Sequence, residues 1–148
     1  MSPAIKLWLL HPVAVHFPIA LLSVGGFALL CSLHRAAPAW IADAASWLLW
    51  LGTAAAWATL GLGLLAEQTA PHVPPAWEAL ADHKTAAWWL VGWFTGLSFW
   101  RWSQGRRREW ILVAGWLLGV AIVVRTGYLG GEVVFTFGMG VAGHGMPH

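Results

Sequence analysis

Apolar residues fall along this chain in four long runs, roughly Leu7–Leu33, Trp40–Ala66, Trp77–Trp102 and Trp110–Phe137. Each exceeds the ~20 residues needed to cross a hydrocarbon core about 30 Å thick. The segments between them are short and polar or proline-rich, and short connections force neighbouring helices to run antiparallel. The pattern predicts an all-α, integral membrane four-helix up-down bundle. It forms one domain over residues 1–148, with a short tail from 138 to 148. No internal repeat or low-complexity tract stands out. The first run is much longer than the ~7–15 apolar residues of a signal peptide, so it reads as a retained helix.

Composition agrees. Hydrophobic residues make up 59% of the chain and charged ones 9%, against about 25% charged in a soluble domain. The net formal charge of +2 carries no argument for nucleic-acid binding. Cys31 is the only cysteine, which excludes an internal disulfide, a Cys-x-x-Cys-His haem attachment and an iron–sulfur cluster ligated by this chain alone. Charge placement predicts the orientation. His34 and Arg35 follow the first run, and Arg101, Arg106, Arg107 and Arg108 separate the third from the fourth. The opposite side holds Lys6 and Lys84 with Glu67, Glu78 and Asp82. The positive-inside rule then puts the first and third connections in the cytoplasm and both termini on the periplasmic side.

Within this frame the candidate chemistry lies at the outer end. Trp8, Trp40, Trp77, Trp100, Trp102 and Trp110 fall near run ends, as an aromatic belt requires. Trp47, Trp50, Trp57, Trp88, Trp89, Trp93 and Trp116 lie deeper, either facing lipid or walling a flat cofactor. His11, His16, His72, His83, His144 and His148 all fall on the outer side, and only His34 on the other. With Pro12 as the first helical residue, His16 lies about 6 Å along the axis. With the third helix starting near Glu78, His83 lies at about 7.5 Å. Similar depth makes these two the expected pair for one metal. His11, five residues from His16, points about 140° away on a helix and is expected at the outer rim. Pro18 falls inside the helix, removes the bond to the Ala14 carbonyl and predicts a kink. Arg125 is an intramembrane charge, a functional candidate by default, with Glu132, Glu67 or an acidic cofactor group as its partner. Gly127, Gly130 and Gly131 remove bulk beside it, as Gly61 and Gly63 do on the second helix, and admit a helix or a flat ligand.

The stretches "HPVAVHFPIALL" and "GYLGGEVVFTFGMGV", with a histidine near the start of the third helix, resemble the signatures of small four-helix bacterial membrane proteins catalogued as a domain of unknown function. The resemblance runs from His11 to Val141. It implies a multi-pass protein of the bacterial inner membrane, associated with redox components of Rieske or cytochrome type. The closing signature in that family often carries a histidine where this chain has Phe135 and Phe137.

Together these readings lead to a b-type haem electron-transfer module, a subunit of a larger membrane redox complex or the partner of a periplasmic electron carrier. His16 and His83 would be the axial ligands, and His11 would orient a ligand or bind a propionate. Arg125 would supply the propionate's counter-charge, flanked by Gly127, Gly130 and Gly131. Two alternatives remain open. One is a transition-metal site of His11, His16 and His83 with Glu67 or Asp82; the other is a cofactor-free accessory subunit. No nucleophile–base arrangement suggests a hydrolase.

Overall fold

The computed structural model describes residues 7–70, 73–105 and 109–139. Lys6, His72, Arg106, Arg107, Arg108, His144 and His148 lie outside them. Four long helices make up the described chain, with no strand: α1 (Leu10–Ser32), α2 (Ala39–Thr69), α3 (Trp77–Gln104) and α4 (Glu109–Phe135). Short 3-10 turns precede α1 at Leu7–Leu9 and α3 at Pro74–Ala76. Partners between α2 and α3 run in opposite order, Thr53 with Ser98 and Glu67 with Lys84, so the helices are antiparallel. The same holds for α3 with α4, where Trp93 meets Gly115 and His83 meets Thr126.

Three helices, α1, α2 and α4, are long and apolar enough to cross a membrane. Helix α3 has the length, 28 residues or about 42 Å. Its end charges Glu78, Asp82, Lys84 and Arg101 and its six tryptophans make it less apolar.

Helix α1 begins before Pro12, and its hydrogen-bond ladder lacks the bond from position 18 to Ala14 O, while Val15 N–H still donates to His11 O and Ile19 N–H to Val15 O. The backbone of Val15 stays right-handed helical, at φ −59° and ψ −27°. The gap is therefore a lost bond rather than a turn of the chain. Pro18 has no N–H to offer the Ala14 carbonyl, and the Thr59 hydroxyl of α2 donates to that carbonyl instead, at 3.3 Å. At the far end of α4, Gly138 adopts φ 68°. Gly138 N–H donates to Val134 O and Met139 N–H to Val133 O, the glycine-closed termination that satisfies the last carbonyls.

The core lies in the half of the bundle away from His11. Leu22, Leu29, Leu49, Phe94 and Trp116 are buried there, and the Trp116 indole donates to Leu22 O at 2.9 Å. Arg101, expected in the connection between the third and fourth runs, is instead part of α3 and is 5% exposed. It donates to Ser46 Oγ at 2.8 Å, to Glu109 Oε1 at 2.8 Å and to Gly105 O at 3.1 Å. A buried guanidinium is tolerated only when so paired.

Candidate two-histidine site

The opposite half of the bundle encloses a cavity of about 460 Å³ lined by all four helices. His11 of α1 and His83 of α3 face each other across it, ring centroids 6.3 Å apart and planes 73° apart. His11 Nδ1 donates to Thr59 O of α2 at 3.0 Å. His83 Nδ1 donates to Thr126 O of α4, also at 3.0 Å. A carbonyl only accepts, so each Nδ1 carries the proton. In the neutral ring Nε2 then keeps its lone pair, the state in which imidazole binds a metal.

A glycine makes each contact possible. A helical carbonyl already accepts from the N–H four residues on, so the imidazole must reach a second lone pair over position i+4. That position is Gly63 after Thr59 and Gly130 after Thr126. A Cβ on Gly63 would stand 2.9 Å from His11 Cε1, and one on Gly130 would stand 2.9 Å from His83 Cε1. No side chain larger than hydrogen fits without displacing the ring.

The two halves of this site repeat each other. Helix α2 carries Gly52, Thr59, Leu62 and Gly63, and α4 carries Gly119, Thr126, Leu129 and Gly130, at identical spacing. Leu22, eleven residues after His11, packs on Gly52, and Phe94, eleven after His83, packs on Gly119. The chain is thus a pair of helical hairpins with matching contacts, a repeat that the amino-acid pattern does not announce by itself. The signal that reveals it is Gly-x6-Thr-x2-Leu-Gly, present twice.

The other candidates are placed differently. His16 is exposed at the edge of the cavity, and its Nδ1 donates to Val13 O of its own helix at 3.3 Å. It is His11 whose ring meets His83. Helix α1 starts before Pro12, so His11 already lies within the bundle. Arg125 is exposed on α4 and is not part of the cavity wall. Gly127 and Gly131 line the cavity, and a Cβ on Gly127 would meet nothing within 4 Å. They open the α4 wall where the matching positions on α2 are Leu60 and Leu64. Among the described residues no tryptophan lines the cavity, and no group of three or more His, Cys, Asp or Glu side chains converges on one point. Thr59, Thr126 and Lys84 are the site residues that pattern reading missed.

Fold and site together define a helical membrane bundle with two matched imidazoles facing one internal cavity. The chain belongs to the family described as predicted membrane protein (DUF2231), whose model matches residues 9–143. No curated protein and no solved structure matches the chain.

Proposed function

We propose that the protein is a b-type haem electron-transfer module of the membrane, with His11 and His83 as the two axial ligands. The observation that carries this reading is the matched pair of imidazoles, each held through Nδ1–H on a backbone carbonyl. Two imidazoles that shared one metal through bonds of about 2 Å would have ring centroids roughly 6 Å apart. The observed 6.3 Å fits that arrangement. Two protein ligands suit a metal whose remaining positions are filled by a macrocycle, and a largely apolar cavity of 460 Å³ lies in the range of small-molecule and cofactor sites. Gly127 and Gly131 leave room on the α4 side for a flat ring.

His11 and His83 would hold the haem, which would supply one-electron exchange when bound. The chain's own part is to fix both rings through Thr59 and Thr126, and to keep the surroundings apolar, which tunes the potential. The positive-inside rule assigns this end of the bundle to the periplasmic side, where a carrier or another subunit of a membrane redox complex would exchange the electron.

Absorption spectra of the purified protein, oxidised and dithionite-reduced, test the reading. The expected result is a Soret band with reduced α and β bands, lost in His11→Ala and in His83→Ala and retained in His16→Ala. Purified protein without porphyrin, and unable to take it up, would sink the reading. Stoichiometric copper or zinc in its place would point to the simple metal site.

A further inference from the structure

The hairpin repeat sets equal ligands on either side of the cavity, yet the rim around them is unequal. Lys84 and Pro12 occupy matching positions, one residue after each histidine. Glu67 and Val134 match likewise, four residues after each glycine. All four line the cavity. The corner between α2 and α3 therefore carries an ion pair, Lys84 Nζ to Glu67 Oε1 at 2.7 Å. The related corner between α1 and α4 has Pro12 and Val134 at the matching positions.

Both charged side chains are partly open, 39% and 34% exposed, so a ligand edge can reach them. An ammonium has three donors. Glu67 takes one of them, leaving Lys84 free to hold a second carboxylate without breaking the pair. Among the described residues that line the cavity, the opposite side carries no ammonium or guanidinium, and its one imidazole at the edge, His16, already gives Nδ1–H to Val13 O. A ligand with one acidic and one apolar edge is therefore bound in a single orientation, although its two axial contacts are equivalent.

We propose that Lys84 is a carboxylate-receiving residue that orients an acidic, amphipathic planar ligand in this cavity, with the ligand's apolar edge against Pro12 and Val134. The inference rests on the haem reading above and assigns a function to Lys84 that Arg125, outside the cavity wall, does not fill.

Apoprotein in detergent is titrated with ferric protoporphyrin IX and with its dimethyl ester, which keeps the iron and ring but has no free carboxylate. The wild type binds the free acid about tenfold more tightly than the ester, the size of one charge-assisted contact. In Lys84→Gln this ratio falls to near one with the Soret position unchanged, Lys84→Arg restores it, and Glu67→Gln keeps or raises it. A ratio unaffected by Lys84→Gln, or a wild type that binds both porphyrins equally, overturns the orientation while leaving the haem reading intact. A wild type that binds neither porphyrin overturns both.

Discussion

Near Arg101, the Trp116 ring lies against Gly25 and Gly26, Phe94 against Gly119 and Leu97 against Gly115. At the other end, His11 lies against Gly63 and His83 against Gly130. Both ends use one device, a missing Cβ that admits a side chain from a neighbouring helix. They differ in what surrounds it. Trp116 and Phe94 also meet one another edge to face at 6.5 Å, and both are buried. The imidazoles are anchored at one nitrogen each and stand 6.3 Å apart over open volume. A glycine thus seats a ring only where a neighbouring helix presents one. Whether the result is core or site depends on whether that ring's remaining faces are covered.

This contrast is broken most severely at the packed end. Trp116→Ala removes a side chain 2% exposed together with its bond to Leu22 O, and is expected to cost ~3–5 kcal/mol. Arg101→Leu leaves Glu109, one of whose oxygens already lacks a partner, and should cost a similar ~3–5 kcal/mol. Chemical unfolding in detergent measures both. Any variant that still folds is expected to keep the haem spectrum that the proposed function requires, because neither residue lines the cavity. Next come Gly63→Ala and Gly130→Ala, which overpack by about 1–3 kcal/mol and push the imidazoles off their carbonyls. The two should lower haem occupancy alike. A large inequality would show that the halves of the site are not equivalent. His11→Ala and His83→Ala follow, each losing one bond of about 0.6 kcal/mol in a membrane setting. Their melting temperatures in the cofactor-free state should therefore scarcely move, while the Soret band disappears. Smallest is Thr59→Val against Thr126→Val. Thr59 donates across helices to Ala14 O, whereas Thr126 donates within α4 to Ile122 O. The first should destabilise by about 0.6 kcal/mol and the second by less, a sign of where the repeat departs from symmetry.

The four runs were readable because each helix is apolar over a membrane's thickness. Their order followed from the shortness of the connections. The facing histidines were not readable to the residue. His11 and His16 are five positions apart, so a shift of one turn in where α1 begins exchanges which of them enters the bundle. Taking Pro12 as the first helical residue favoured His16, whereas α1 is preceded by the turn Leu7–Leu9 and carries Pro12 inside its first turn, where no N–H is needed. Arg101 looked like a flanking charge because its partners, Ser46 and Glu109, are 55 and 8 residues away. The repeat stayed hidden for a similar reason. Thr59 follows His11 by 48 residues and Thr126 follows His83 by 43, so no single offset aligns the two hairpins.

The missing bond to Ala14 O makes two chemically equal ligands mechanically unequal. His83 rides on a continuous helix of 28 residues. His11 rides on the first turns of α1, tied to the rest of the helix by Val15 N–H to His11 O but without the bond that Pro18 cannot give to Ala14 O. Thr59 braces this break from α2, its carbonyl accepting from His11 and its hydroxyl donating to Ala14 O. The site is a clamp with one jaw on an unbroken helix and one jaw on a helix that lacks a bond just below it. Amide exchange is expected to be faster at Leu10–Ala14 than in the first turns of α3.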